Sequence, residues 1–458
     1  LHLSIRRQRQ MCIRDSPKQM PRLLEIAMRA AIEQRGVAVL VIPGDVALAE
    51  IADDRAVVIE RSHPVIVPSG DELARAATLL NASKKTTILA GAGVEGAHDE
   101  VIALADRLGA PIVHALRGKE FIEYDNPFDV GMTGLLGFAS GYRAMEAADT
   151  LLVLGSDFPY EQFYPEHATT IQVDIRGSQL GKRHPLDLGL VGDVRATADA
   201  LLPRLAEKSD RDHLDDSTAH YRKTRAKLDD LATPTKAGRP IHPQYLARLL
   251  DEQAADDAVF TADVGSPTVW AARYLSMTEN RRLIGSFTHG SMANALLHGI
   301  GAQVSHPDRQ VIALAGDGGL AMMLGELLTL TQNKLPVKTI VVNNSSLNFV
   351  ELEMKAAGFV NYGTALDNPS FAAIAEAMGI FARRVENSED LPDAVREVLA
   401  HDGPALLDVV TERQELSMPP AIEAAQVKGF ALYAIRTVMS GKGDELLDLA
   451  RANWRQFL

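Results

Sequence analysis

One aspartate and one asparagine, each following glycines or a strand-like run, carry the strongest chemical signal in the sequence. The apolar run 311–315 leads into Gly316-Asp317-Gly318-Gly319, and a second run, 339–342, ends in Asn343-Asn344. Glycines let a backbone approach a bulky anion, and the first turn of the helix predicted over 320–332 presents N–H groups with no partner of their own. Asp317 offers a hard carboxylate oxygen, the Asn344 amide a second oxygen, and the Ser346 main-chain carbonyl a third. Such oxygens suit Mg²⁺, which keeps its other positions for anion oxygens and water. Both strings end predicted parallel strands, where α/β sheets bind ligands.

A sheet must hold those ends side by side. Strands are predicted over 258–262, 309–315, 338–343 and 405–410, with helices between them. An earlier unit repeats the alternation with strands over 87–90, 112–115, 150–154 and 170–174. Strand–helix alternation predicts parallel, doubly wound sheets, an α/β fold. Residues 206–240 are polar, contain Pro234 and Pro240, and read as a helical linker. Near the beginning, Leu23, Leu24, Ile26, Ala27, Ala30 and Ala31 fall at helical spacing, and 37–42 reads as a buried strand. One helix and one strand are too little for a domain, whereas 458 residues are enough for about three.

Composition removes several classes. Hydrophobic content of 46% and charged content of 23% are those of an ordinary globular chain. A net charge of −13 disfavours nucleic acid as a partner. A lone cysteine, Cys12, allows no internal disulfide and fits a reducing compartment. No apolar run approaches the roughly 20 residues of a membrane span. Residues 1–16 are basic, without a continuous apolar stretch, and Met11 to Ser16 reads as translated adapter sequence rather than a targeting segment.

Gly-Asp-Gly followed by a βα crossover and Asn-Asn resembles the signature of thiamine-diphosphate enzymes. From about residue 17 onward the chain resembles the pyruvate oxidase family, and within it the quinone-linked, FAD-containing pyruvate dehydrogenases. The strings His114-Ala115-Leu116-Arg117-Gly118-Lys119-Glu120, Tyr124-Asp125-Asn126-Pro127, Val130-Gly131-Met132-Thr133-Gly134 and His289-Gly290-Ser291-Met292-Ala293-Asn294 carry that resemblance. It implies a three-domain architecture with the first domain mostly missing. Residues 17–55 would be the remnant of a pyrimidine-binding domain, 56–205 a central FAD-binding domain, 206–240 a linker, 241–415 a diphosphate- and Mg²⁺-binding domain, and 416–458 an amphipathic membrane-binding tail. The family's ylid-forming glutamate has no counterpart in this sequence, so the chain as written is expected to be inactive alone.

The resemblance also assigns residues. Gly290, Ser291, Met292, Asp317, Gly318, Gly319, Asn344, Ser345, Ser346, Leu347, Asn348, Phe349 and Val350 would contact thiamine diphosphate, with Asp317, Asn344 and Ser346 on the metal. Met292 would underlie the thiazolium, Phe349 would assist electron transfer to the flavin, and Glu353 would be an acid near substrate, unless Glu351 and Lys355 mark that helix face as solvated. Asp263-Val264-Gly265, ending a strand, is expected near the site. Thr133, Gly134, Leu135, Leu136, Ser156, Asp157, Phe158, Pro159, Tyr160 and Asp174 would contact FAD. Gly91-Ala92-Gly93-Val94-Glu95-Gly96 fits a dinucleotide fingerprint, but the next strand ends without the required acid, so it reads as an ordinary turn.

In the tail, Leu446, Leu447, Leu449, Ala450, Trp454 and Phe457 crowd one side of a last helix. Such a helix either docks on its own protein or lies in a membrane interface, and the resemblance favours lipid. The expected activity is oxidative decarboxylation of pyruvate to acetate and CO₂, with electrons passed through FAD to ubiquinone. A homotetramer is expected, cytoplasmic and peripheral on the inner face of the cell membrane. The rivals are another thiamine-diphosphate enzyme such as acetolactate synthase, disfavoured by Phe349 and the tail, and a non-catalytic fragment.

Overall fold

Short runs of Val, Ile, Leu and Ala between turn residues build two sheets, each buried under helices on both faces. A computed structural model describes residues 17–33, 36–50, 58–59, 64–236, 238–415, 424–439 and 443–453. Two units result, 1–65 and 66–458; residues 1–16 lie outside the described residues.

The first unit contains the helix Met20–Glu33, which buries Ala27 and leaves Leu24 and Ile26 exposed. The strand expected over 37–42 does not form. Val37, Val39, Val41 and Ile42 are exposed, with Val37 90% accessible. β-branched residues favour extended backbone, but a strand is held by its ladder, and no strand ladder runs over 37–42.

The second unit holds both sheets, and every pairing in them is parallel. β1 (Thr86–Ala90), β2 (Ile112–His114), β3 (Asp129–Met132), β4 (Thr150–Leu154), β5 (Thr169–Asp174) and β6 (Leu188–Val191) lie in the order β3-β2-β1-β4-β5-β6. β7 (Val259–Ala262), β8 (Arg282–Gly285), β9 (Val311–Gly316), β10 (Lys338–Asn343), β11 (Phe381–Val385) and β12 (Ala405–Val410) lie in the order β11-β12-β10-β9-β7-β8. Strand order reverses between β1 and β4 in one sheet and between β7 and β9 in the other, which opens a crevice at the carboxyl end of each. Four strands absent from the sequence reading, β3, β6, β8 and β11, are the four sheet edges.

The helix Asp212–Leu231, expected as a linker, packs on the first sheet: His213 is buried and its Nε2 lies 2.8 Å from Thr87 Oγ1. The helix Ser266–Tyr274 joins the two sheets. It begins four residues beyond Ala262, the end of β7, and its buried Arg273 donates to the carbonyls of Leu136 (3.0 Å) and Gly137 (3.3 Å) beyond β3. Two helices close the described chain, Ala424–Met439 and Gly443–Asn453. The first packs on the helix Asn348–Ala356, where Gly429 meets the Ala356 carbonyl so closely that no Cβ would fit.

Candidate active site

The crevice between β7 and β9 brings the predicted chemistry together. β7 ends at Ala262, so Asp263 stands beside the turn that follows β9. Asp263 Oδ1 accepts the Asn294 and Ala295 N–H groups at 2.7 and 2.8 Å, and Oδ2 accepts Gly316 N–H at 3.1 Å. One carboxylate thus ties three segments. A Cβ on Gly319 would enter that carboxylate, so only glycine fits there.

Asp317 is buried and ties the β9 end to the β10 end. Its Oδ1 accepts Gly318 N–H at 2.8 Å, and its Oδ2 accepts Ser345 N–H at 2.7 Å and the Asn368 side-chain amide at 2.8 Å. Burial pushes the Asp317 carboxyl above its ordinary range against these hydrogen bonds; burial also raises Asp263. A cation beside Asp317 would favour its charged form. The Asn344 carboxamide oxygen accepts Ser346 N–H at 3.0 Å, and Ser345 takes the left-handed φ of 55° that turns the chain. The loop is zipped to a neighbour: Leu347 N–H reaches the Thr364 carbonyl at 2.8 Å, and Leu366 N–H the Ser345 carbonyl at 2.9 Å. Among the described residues no three of His, Cys, Asp and Glu converge as a metal site, so a cation here would take mixed oxygen ligands.

Gly318 faces an apolar cradle. A Cβ there would lie 3.0 Å from Leu347, 3.3 Å from Leu366 and 3.4 Å from the Met292 methyl. Gly290 takes a φ of 68°, the Ser291 carbonyl accepts Val264 N–H at 3.3 Å, and Met292 stays 37% exposed. Leu347, Asn348, Phe349 and Val350 run into the helix Asn348–Ala356; Phe349 is half-buried against the core and Val350 is exposed.

The acid expected near substrate, Glu353, lies on the open side of its helix. Glu353 is exposed, whereas Glu351 and Lys355 are 1% and 2% accessible. Residues four apart share a helix face and residues two apart do not, so the pair taken as the solvated flank turns inward. Glu351 accepts the Ser346 hydroxyl at 2.5 Å and Lys355 Nζ at 2.9 Å. Burial alone would raise its carboxyl, but Lys355, Ser346 and Arg413 hold it down at about 2. Glu351, Lys355 and Asn368 were missed by sequence reasoning. Only the Glu351–Lys355 spacing of four could have signalled the inward pair.

At the end of the first sheet the loops beyond β3, β4 and β5 converge. Gly134 has a φ of 98°, and a Cβ there would lie 2.9 Å from the Phe158 ring and 3.4 Å from Tyr160. Thr133, Ser156, Phe158 and Asp174 are buried, and the Thr133 hydroxyl has no hydrogen-bond partner among the described residues. Leu135 is exposed, Leu136 packs on the core of the other sheet, and Pro159 is exposed. Asp157 is paired with Arg183 at 2.8 Å; Asp174 accepts Arg176 N–H at 2.8 Å, and burial raises its carboxyl. Gly91 and Gly93 serve packing: Gly93 N–H donates to the Gly155 carbonyl at 2.9 Å, and a Cβ on Gly93 would lie 2.6 Å from Gly155 Cα. The Gly91 and Gly93 N–H groups are thus spent on Leu154, at the end of β4, and on Gly155 just beyond it.

Comparison with known proteins places both sheets. Residues 73–201 match the thiamine pyrophosphate enzyme central domain, and residues 263–409 the thiamine pyrophosphate enzyme C-terminal TPP binding domain. A Bacillus subtilis protein described as a putative thiamine pyrophosphate-containing protein is 34% identical over 96% of this chain and 77% of its own length. The chain belongs to the thiamine pyrophosphate enzyme family. A pyruvate oxidase from Lactiplantibacillus plantarum is 28% identical over 85% of the chain and 66% of its own length. An acetolactate synthase large subunit from Corynebacterium glutamicum is 27% identical over 94% and 71%.

The residues present fit the family's cofactor. Glycine at 318 and 319 lets the backbone pack against Leu347, Met292 and the Asp263 carboxylate with no side chain between, and Asp317, Asn344 and the Ser346 carbonyl would supply oxygens for a cation that a diphosphate would share.

Proposed function

We propose that the protein decarboxylates pyruvate oxidatively to acetate and CO₂, with electrons passed through FAD to ubiquinone. The observation that carries this reading is the Asp317 carboxylate at the sheet's switch point, gripping the Ser345 N–H with Gly318 and Met292 beside it. Likeness to a pyruvate oxidase supports the oxidative branch, as does the unpartnered Thr133 hydroxyl among the residues assigned to FAD. Bound thiamine diphosphate supplies the carbon nucleophile and electron sink for decarboxylation, and bound FAD accepts the electron pair.

The chain's own residues bind and orient. Asp317, Asn344 and Ser346 hold Mg²⁺ and the diphosphate, while Gly290, Ser291 and Met292 form the opposite wall. Asp263 fixes the spacing of the β7 and β9 ends. Thr133 to Leu136, Ser156 to Tyr160 and Asp174 hold the flavin nucleotide, and Arg273 ties that loop to the helix rising from the thiamine site. Phe349 excludes water between the two. Glu353, on an exposed helix face, reaches substrate where a second chain of a homotetramer covers that face. Ile435, Val438, Met439 and Leu447 are exposed on the last two helices and supply apolar contact for peripheral attachment to the membrane. Leu446 and Leu449 are partly buried and Ala450 is exposed; Trp454 and Phe457 lie outside the described residues. Among the described residues no helix is long and apolar enough to cross a membrane.

Likeness to acetolactate synthase keeps a second reading, carbon–carbon bond formation with the flavin as a structural element. Protein expressed from the complete reading frame of its gene separates the two. It is loaded with Mg²⁺, thiamine diphosphate and FAD, then given pyruvate without oxygen. Bleaching of the flavin band with release of acetate is the expected result. Acetolactate formed without bleaching selects the second reading, and failure to retain flavin overturns the redox proposal.

A further inference from the structure

A second cavity lies away from Asp317, formed by three segments that meet beyond β12. Pro234, Lys236, Arg239 and His242 line one side, Glu412, Arg413 and Gln414 a second, and Asp448, Arg451 and Ala452 of the last helix the third. Its volume is about 650 Å³, within the range of small-molecule sites.

Its charge runs against that of the chain. Lys236, Arg239, Arg413 and Arg451 bring four cations to one opening and Glu412 and Asp448 two carboxylates, whereas the whole sequence carries −13. Both carboxylates are engaged: Glu412 accepts Gln414 N–H at 3.1 Å, and Asp448 accepts from Arg451 at 3.4 Å. Lys236 and Arg239 are exposed beside the opening. Arg413 is held in place, one nitrogen donating to Glu351 Oε2 at 3.2 Å, and its buried Nε has no partner among the described residues. The base is fixed as well: His242 Nδ1 lies 2.6 Å from Glu415 Oε2. A pre-set guanidinium below a ring of cations is a receptor for a compact polyanion, because little ordering remains to be done on binding.

We propose that this cavity binds a phosphate-bearing small molecule of nucleotide size, with Arg413 at its base and Lys236, Arg239 and Arg451 around its anionic groups. ADP and inorganic pyrophosphate are the probes, titrated by calorimetry into full-length protein already saturated with thiamine diphosphate and Mg²⁺. Both are expected to bind, and Arg239→Ala, Lys236→Ala and Arg451→Ala, all at exposed positions, each to weaken binding about ten-fold. A tighter ADP than pyrophosphate assigns a nucleotide, and equal affinities assign the phosphate groups alone. No binding at millimolar concentration overturns the proposal. So does binding that all three variants retain, or that thiamine diphosphate displaces, since it then belongs to the cofactor site.

Discussion

The two six-stranded sheets share a design and differ at the point where their strand order reverses. In the first, Gly91 and Gly93 press against Gly155, and loop backbone fills the crevice. In the second, Asp263 and Asp317 stand in the crevice, and the backbone at Gly318 and Gly319 packs against side chains, the Asp263 carboxylate and Leu347. Glycine therefore packs on backbone at one switch point and on a carboxylate at the other. A Gly-rich turn after a strand is informative only together with the acid that accompanies it.

Five substitutions sharpen this contrast. The largest effect is expected at Glu351, which anchors the Ser346 loop to the second sheet. Glu351→Ala leaves Lys355 buried without its carboxylate and costs about 3–5 kcal/mol in denaturant unfolding. Because its native pKa is depressed to about 2, this stabilisation is present above roughly pH 4.5 and is lost as pH falls toward 2. A variant as stable as the parent at pH 7 would remove Glu351 from the account.

Next are the paired glycines. Gly93→Ala sets a Cβ against Gly155 backbone, which cannot yield, at about 1–3 kcal/mol, with Mg²⁺–thiamine diphosphate binding unchanged. Gly319→Ala pushes on Asp263 and is expected to lose that binding as well. Equal effects of both on binding would erase the distinction between the crevices.

A pH slope separates the first sheet further. Its buried His114 lies 3.5 Å from Asp129. Burial holds His114 down at about 4, while burial with Glu123 beside it raises Asp129 to about 7. Between about pH 4 and 6.5 the unfolded histidine binds a proton that the native one does not, so stability rises with pH; the native aspartic acid keeps a proton that the unfolded one loses, so stability falls. Asp129→Asn removes the falling slope and should leave a rise of roughly 2–3 kcal/mol across that window. A flat profile in the variant contradicts the pairing. The smallest effect is expected from Thr133→Val, which removes a buried hydroxyl lacking a protein partner. Flavin should be held about five-fold more weakly, close to 1 kcal/mol, while the flavin-free protein loses no stability. Unchanged flavin affinity would place the nucleotide elsewhere.

The sequence was legible where burial is two-sided. β1, β4, β9, β10 and β12 are rich in Val, Ile, Leu and Ala and were readable as strands within a residue or two. β3, with Asp129 and Gly131, and β11, with Arg383 and Arg384, are edges; an edge strand has one neighbour and need not be apolar throughout. Residues 37–42 show the converse, an apolar run without a ladder. At the site, Asp317 and Asn344 stood out because glycines and strand ends mark them. Glu351 and Lys355 did not, since an i,i+4 ion pair has the same pattern on a solvated helix face as in a buried one, and only the packed helix Ala424–Met439 distinguishes the two. Asn368 reaches Asp317 from another loop, a contact that no local pattern encodes.

The most direct test of the central claim is calorimetric titration of thiamine diphosphate into the protein with and without Mg²⁺, beside Asp317→Ala. Binding that requires Mg²⁺ and is weakened more than about 100-fold in the variant, beyond the usual effect of losing an outer-shell partner, is the predicted result. Binding indifferent to Mg²⁺, or retained by Asp317→Ala, would show that the β7–β9 crevice is not where the diphosphate is held.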